Sequence, residues 1–425
     1  MKTIIYSQKN KSELEQLFQR RTNYSAALLT QVKNIMRAVE SKGDDALYEF
    51  AEKYDGVRLE ALRVSAKEIR RAVKGTPASL RRAMEDAAVS IKKFHASTLL
   101  KENVVETKAG VSAWREWRPI ENIGLYIPGG KANYPSTALM LGIPAMLARC
   151  KKIVVCTPPN KQGEVARTTL AALSMLGITT IYKAGGAQAI AALAYGTESI
   201  PKMDKIFGPG NAYVTAAKML AYPGVDIDMP AGPTEIFIIA DETADPRFVA
   251  ADFLSQLEHS EDAQAVLATP NSTLAERVAK KIASQTPLLA KKTIIQESLK
   301  RSFIIVTSSI NEAIDISNRY APEHLEIMTK NPEALLKKIT NAGSVFLGPY
   351  APVSAGDYAT GTNHTLPTSG FARMFSPVSV ESFGKKIQVQ KLTKKGLASL
   401  QTTIGEIATA EELTAHKKAV DIRFE

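Results

Sequence analysis

Cysteine is nearly absent: Cys150 and Cys156 are the only two in 425 residues. Two thiols cannot build a disulfide framework, so they indicate a reducing compartment and read as small buried hydrophobes beside a strand. No stretch reaches the ~18 uninterrupted apolar residues of a membrane-spanning helix. The opening MKTIIYSQKNKSELEQ also lacks the ~7–15-residue apolar centre of an export signal. A soluble, cytoplasmic protein without a membrane partner is expected. Missing, too, is any basic run interleaved with aromatics. The net charge of +11 comes from 54 Lys and Arg against 43 Asp and Glu, scattered as doublets such as Arg81-Arg82, Lys151-Lys152 and Lys385-Lys386. That argues against a nucleic-acid partner and suits small anionic ligands equally well. What is present is an ordinary globular composition, 45% hydrophobic and 23% charged. At ~100–200 residues per domain the length allows two or three domains, with a core that needs no disulfide or structural metal to fold.

From Asn10 to about Leu100 the apolar positions recur at helical spacing, as in SAALLTQVKNIMRAVESKGDDALYEFAEKY. Beyond residue 120 short β-branched runs alternate with Ala- and Leu-rich helical stretches. The runs are NIGLYIPGG, KKIVVCTPP, TTIYKAGG, DKIFGPG, EIFIIADE, QAVLATP, RSFIIVTSS, HLEIMTK and GSVFLGP. Spacing of ~20–40 residues with helix between them is the pattern of repeated βαβ units. The expected fold class is α/β: two Rossmann-like α/β modules with mostly parallel sheets, a small helical N-terminal segment (1–23) and a helical C-terminal tail (379–425). The Pro- and Gly-rich MPAGPTE, Met229 to Glu235, is a candidate hinge, and Glu121 to Gly130 a second crossing. If both cross one boundary, residues 126–233 form a module inserted into another built from 24–122 and 235–378. In the tail, Leu397, Leu400, Ile404 and Ile407 make a narrow apolar stripe that needs another surface to cover it.

Three strand-to-helix junctions carry glycines: Pro128-Gly129-Gly130, Gly185-Gly186 and Gly208-Pro209-Gly210. Glycine lets the backbone approach a ligand, and the following helix start offers free amides to a phosphate. None is a G-x-G-x-x-G or a Walker loop. Each alone is a tight turn, and only their occurrence together suggests a nucleotide.

Four of the five histidines sit in polar clusters that interrupt apolar patterns; His95, without acidic company, reads as ordinary. Gln256 and His259 are at i, i+3, so an amide and an imidazole share a face near a helix end. Glu323 and His324 stand at a strand entrance behind Pro322, two different general bases if a turn brings them to one side. The loop from Ser354 to His364 is crowded with glycines and hydroxyls around Asp357, which suggests ligand contact. Glu411 and His416 lie near the C-terminus. Gln256, His259, Asp357 and His416 together are O and N donors without thiolate, compatible with a divalent metal that keeps positions open for substrate.

QLEH at 256–259, YAPEHLEI at 320–327, SAGDYATGTNHTLPT at 354–368, GLYIPGG at 124–130, GGAQAIAALAYGTESIPKMDKIFGPGN at 185–211 and EELTAHKKAV at 411–420 resemble the histidinol dehydrogenases, in order and with matching gaps. The resemblance runs from about residue 20 to the C-terminus. It implies oxidation of L-histidinol through L-histidinaldehyde to L-histidine with two NAD, by a zinc-dependent cytoplasmic homodimer with one zinc per site. It further implies Gln256, His259, Asp357 and His416 as zinc ligands and Glu323 and His324 as bases. Tyr126, Gln188 and Asn211 would lie at NAD, and Thr234 and Glu411 at the substrate beside His324 and the metal ligands. The tail would be swapped between subunits. One departure is Thr234, where the family usually has Ser; the hydroxyl is kept and a methyl added. His364 is assigned only to the lining of the site. Two other readings remain at this stage: a zinc hydrolase, for which the three glycine junctions have no use, and a two-module binding protein, for which Glu323 and His324 serve affinity alone.

Overall fold

The protein is described by a computed structural model over residues 1–7, 11–18, 20, 24–99, 103–129 and 133–425. Asn10, Leu100 and Gly130, named in the expectations above, lie outside the described residues. In chain order the strands are β1 (Lys2–Ile5), β2 (Val105–Lys108), β3 (Val111–Pro119), β4 (Asn122–Tyr126), β5 (Lys152–Thr157), β6 (Ile181–Lys183), β7 (Lys205–Phe207), β8 (Asp226–Ile227), β9 (Glu235–Ala240), β10 (Gln264–Thr269), β11 (Phe303–Val306), β12 (His324–Met328), β13 (Ser344–Leu347) and β14 (Gly384–Leu392). All nine β-branched runs of the sequence became strands.

Two parallel sheets organise the molecule. The first has the order β1-β11-β10-β9-β12-β13, the second β6-β5-β4-β7-β8. Every residue of β9, EIFIIA, is buried, as expected of a central strand covered on both faces. In the second sheet the chain winds outward from β4 to β6, then returns to place β7 on the other side of β4. That reversal leaves a crevice beyond the carboxyl ends of β4 and β7, where α/β sheets bind ligands. The first sheet reverses between β9 and β12, but there the carboxyl end is closed. Asp241 N–H donates to the Met328 carbonyl at 3.3 Å, and the Asp241 carboxylate accepts from Lys330 N at 2.9 Å.

The helical section between residues 26 and 97 packs otherwise than its expected grouping with 235–378. Val32, Ile35, Met36 and Val39 of the helix Ala26–Lys42 enter the core formed by the helix Gly186–Tyr195. Ile69, Met84 and Ile91 cover the opposite face of the second sheet with Ile123 and Leu125. Val64 N bonds to the Ile181 carbonyl at 2.9 Å and Lys183 N to the Leu62 carbonyl at 2.7 Å, so this segment also caps the β6 edge. The reason is that an amphipathic stripe specifies that a face will be buried, without saying against which sheet.

Both chain ends add strands where helix was expected. β1 extends the first sheet beside β11, ahead of the helix Lys11–Phe18. In the tail, β14 pairs antiparallel with β3 over its full length, Gly384 opposite Pro119 and Leu392 opposite Val111, before the helices begin. Its alternating Lys and Gln make it an edge ribbon rather than a core strand. The ribbon is pinned by Phe383, fully buried and stacked on Phe207 with ring centroids 3.9 Å apart. Phe383→Ala should therefore cost about 3–5 kcal/mol of stability. Urea denaturation of the purified chain measures it; a loss below about 1 kcal/mol would show that the stack does not anchor the tail.

Candidate active site

Parallel pairing puts the two expected bases beside one peptide. β9 and β12 are adjacent, with His324 opposite Ile236, so the peptides of Glu235 face the entrance of β12. The helix Ile310–Tyr320 ends on Ala321 in the left-handed region, φ 52°, and Pro322 stops it from continuing. This turn brings Glu323 and His324 together instead of letting them alternate as in a regular strand. Glu323 Oε2 accepts from the Thr234 hydroxyl at 2.6 Å and from Glu235 N at 2.8 Å. It also lies 3.4 Å from His324 Nδ1. His324 Nδ1 is 2.9 Å from the Glu235 carbonyl oxygen. A carbonyl only accepts, so Nδ1 carries the hydrogen, and in the neutral ring Nε2 holds the lone pair. Nε2 is buried without a hydrogen-bond partner, 3.7 Å from Asp357 Oδ1.

Thr234 links this pair to Gln256, whose Oε1 lies 3.0 Å from the hydroxyl. One hydroxyl hydrogen serves one acceptor at a time, and the shorter contact to the Glu323 carboxylate is the stronger claim on it. Gln256 and His259 sit at the end of the helix Pro246–Leu257, which starts as expected with Asp245 accepting from Arg247 N. Asp357 is on the short helix Val353–Tyr358. Burial raises the Asp357 carboxyl, but His324 outweighs it, with smaller help from His364 and His259, and the net shift is downward. Burial likewise opposes the His324 imidazolium, yet the Glu323 and Asp357 carboxylates raise its pKa well above the usual value. His364 is pushed down by burial, and its Nε2 is a second buried nitrogen without a partner. It lies within electrostatic reach of Asp357, His324 and Glu323.

Asp357 is within electrostatic reach of His259, and Gln256 meets the same cluster through Thr234, while Glu411 and His416 stand apart. Both are exposed on the C-terminal helices Gln401–Ala410 and Thr414–Asp421, which pack against each other. Among the described residues no three His, Cys, Asp or Glu side chains form a metal site within one chain. The donor types and the two orphaned imidazole nitrogens fit a divalent cation.

At the crevice of the second sheet, the Tyr126 hydroxyl accepts from Gly186 N at 3.1 Å. Gly186 has φ 64°, and a Cβ there would meet Gln188 Oε1 at 2.8 Å, so Tyr126, Gly186 and Gln188 form one small unit. Asn211 caps the helix Ala212–Ala221 by accepting from Tyr213 and Val214 N–H. The two regions are tied where Asn363 donates to the Met140 carbonyl at 2.7 Å and the Thr215 hydroxyl to the Ala231 carbonyl at 2.7 Å.

Several contributing residues escape sequence reading. The Glu235 carboxylate is buried, ion-paired with Arg20 and accepting from Ser369 N at 3.0 Å, and its partners are 215 and 134 residues away. Glu326 does leave a signal, as an acid inside the apolar strand HLEIM. It shares the His324 face of β12, and Asp252, Gln256 and His259 share the helix face opposite. Glu326 Oε1 accepts from Val353 N at 3.0 Å at the start of the helix that bears Asp357, while Oε2 is buried without a donor. Asp252 faces it at hydrogen-bonding range, so two carboxyls share one hydrogen. Burial pushes Asp252 up to about 6, and burial with Asp252 raises Glu326 well above the carboxylate range. The folded pair keeps a proton that the unfolded chain releases above pH ~4, so stability falls as pH rises through the folded values. Asp252→Asn supplies a permanent N–H donor and should flatten that fall. Thermal melts of both proteins at about pH 5 and about pH 8 check it; equal pH dependence in the two would refute the shared hydrogen.

The sequence profile of histidinol dehydrogenase matches residues 18–424. A histidinol dehydrogenase of Vibrio parahaemolyticus is 46% identical over 429 residues, covering 100% of this chain and 99% of that one. One of Methanothermobacter thermautotrophicus is 49% identical over 393 residues, 92% of each chain. The crystal structure of histidinol dehydrogenase from Elizabethkingia anophelis superposes with a TM-score of 0.97 at 49% identity, covering 100% of this chain and 98% of that one. Identity near one half along the whole chain, on the same fold, means that the chain belongs to the histidinol dehydrogenase family of oxidoreductases.

Proposed function

We propose that the protein oxidises L-histidinol to L-histidine through L-histidinaldehyde, using two NAD and one zinc per site, as the last steps of histidine biosynthesis in the cytoplasm. The observation that carries this reading is the convergence of Glu323 and His324 on one side of β12, hydrogen-bonded to Glu235 and Thr234 and next to Asp357. His324 Nε2, with Nδ1–H fixed on a carbonyl, is the base for the alcohol proton. Glu323 and Asp357 raise its pKa, and cationic charge at Asp357 would oppose that rise and bring it towards the neutral range where a base operates. Glu323, oriented by two donors to one oxygen, is the group to draw a proton from the water that adds to the aldehyde. Zinc held by Gln256, His259, Asp357 and His416 of the partner subunit would supply a template orienting the substrate's nitrogens. When bound, NAD would supply the hydride acceptor for each of the two oxidations. Tyr126, Gln188 and Asn211 would hold it at the crevice of the second sheet, a placement supported by the strand reversal at β4 and β7. Thr234 in place of Ser keeps the hydroxyl that bonds Glu323, so Thr234→Ser leaves that bond intact. Glu411 of the partner subunit would meet the substrate with His416.

A steady-state assay with L-histidinol and NAD, before and after chelation, tests substrate, cofactor and metal at once; activity that survives full removal of metal would overturn the zinc assignment. Within it, His324→Asn should lower turnover of the alcohol by about 10²–10⁴-fold. Glu323→Gln should chiefly slow oxidation of supplied histidinaldehyde, because only that half-reaction consumes water. Equal losses in both half-reactions for Glu323→Gln would sink the division of labour.

The homodimer with shared sites is part of the same reading, supported by the separation of His416 from the other ligands. Co-expression of His324→Asn chains with His416→Asn chains makes mixed dimers in which one site carries both lesions and the other neither. Under random pairing, activity should recover to about a quarter of wild type, since two-fold symmetry exchanges the tails. Inactive purified heterodimers would show that each chain completes its own site.

A further inference from the structure

Lys218 and Asp228 form an ion pair inside the protein, with side chains 2% and 1% exposed. Lys218 is the one charged residue of the helix Ala212–Ala221, AYVTAAKMLA, and a lone cation on the buried face of an apolar helix is costly unless it holds something. What it holds is Gly208. Lys218 Nζ donates to the Gly208 carbonyl at 3.0 Å, and the Gly208 N–H donates to Asp228 Oδ2 at 2.8 Å. Both polar groups of this glycine are therefore taken by the two halves of one ion pair. Asp228 Oδ1 also accepts from Met229 N at 2.7 Å, at the entrance of the 229–235 crossing.

Gly208 could not be otherwise. Its φ of 131° lies where side chains are strained, and a Cβ there would fall 2.0 Å from the Tyr126 carbonyl oxygen. It thus sits at the reversal point, between the ends of β4 and β7, against the residue that binds Gly186 N through its hydroxyl. A glycine so placed is free to rotate its peptides unless something external fixes them. The same helix is tied to the crossing a second time by Thr215 and the Ala231 carbonyl. Three residues beyond Ala231 stands Thr234, whose hydroxyl orients Glu323.

We propose that Lys218 and Asp228 are positioning residues for the cofactor: their ion pair locks the Gly208 peptides, presents the Phe207–Asn211 turn in its binding conformation, and registers that turn to the crossing that leads to Glu323. The proposal rests on the reading that a dinucleotide occupies this crevice. It distinguishes the pair from a mere core contact, because a core contact would affect stability and leave the two ligands' affinities in proportion.

The pair is tested by removing both charges together, since a single lesion leaves its partner buried and unpaired and endangers the fold. Lys218→Met with Asp228→Leu removes every bond to Gly208. Lys218→Met with Asp228→Asn keeps an acceptor for its N–H and serves as the conservative variant. NAD affinity is measured by calorimetry on the metal-free chain, alongside KM for each substrate and hydrogen exchange across 204–211. The Met/Leu variant should bind NAD about ten- to a hundredfold more weakly, with faster exchange in that segment and a much smaller change in the KM for histidinol. The Met/Asn variant should recover part of the NAD affinity. Unchanged NAD affinity in either folded double variant overturns the proposal, as does an equal loss for both substrates. Failure of the wild-type chain to bind NAD would instead overturn the cofactor reading, and the proposal with it.

Discussion

One peptide neighbourhood, that of Glu235, holds Glu323 and His324 in place at the entrance of β12. Its N–H orients Glu323 and its carbonyl fixes the hydrogen of His324 on Nδ1. Hydrogen bonds involving charged groups contribute about 1.5–3 kcal/mol each, enough to select one rotamer and one tautomer. Everything around this peptide keeps it still. β9 is paired on both sides, the Glu235 side chain is clamped by Arg20 and Ser369, and Arg20 itself lies over the Tyr320 ring at 3.8 Å. A loop could not hold two bases of different chemistry so closely on one side. A strand entrance can, provided that the preceding turn breaks the alternation, and Ala321 and Pro322 do so.

Beneath the site, polar groups are buried in pairs rather than singly. Arg20 with Glu235 and Asp252 with Glu326 join elements distant in sequence, and Lys218 with Asp228 joins a helix to the strand end that follows it. Such pairs gain little net stability over well-packed apolar residues, because desolvation offsets their attraction. Their value lies in direction: an apolar contact tolerates sliding, whereas a shared hydrogen or a bonded peptide does not. Glu326 shows the point, since it faces the helix of Gln256 and His259 through Asp252 and grips the first amide of the Asp357 helix through Val353. Three of the expected ligands are thereby referred to one carboxyl pair.

The legible parts of this protein were those whose cause is local. Each β-branched run became a strand because its apolar residues are contiguous, and Asp245-Pro246 opened a helix because capping is a matter of adjacent atoms. Glu323 and His324 were visible as two bases behind a proline. Their convergence was not, because it depends on the conformation of Ala321. The strand Lys2–Ile5 is not legible because KTII is too short to show a period, and Gly384–Leu392 is not because its Lys and Gln residues leave only Ile387, Val389 and Leu392 as apolar signal. The helices from 26 to 97 were placed with the other sheet because periodicity identifies a face and not its partner. Glu326 and Lys218 did leave signals, as single charges in apolar elements, and a lone charge in such a setting is worth tracing before the fold is known.

The C-terminal helices bring two deficits together. Ile407, Leu413 and Ile422 are exposed at 55%, 40% and 55%, so much of the apolar surface of the tail has no cover within one chain. Of the expected stripe, Leu397, Leu400 and Ile404 are half-buried, while Ile407 remains outside. The site region holds Gln256 against Thr234 and Asp357 beside His324, while His416 is exposed elsewhere. His416 lies on the same helices as the uncovered residues. A contact that buries those side chains against another surface would carry His416 with it, because they share the same short helices. Phe383 limits how much of the tail such a contact could draw away. It fixes β14 to its own subunit through Phe207, leaving only the segment after Leu392 to reach outward.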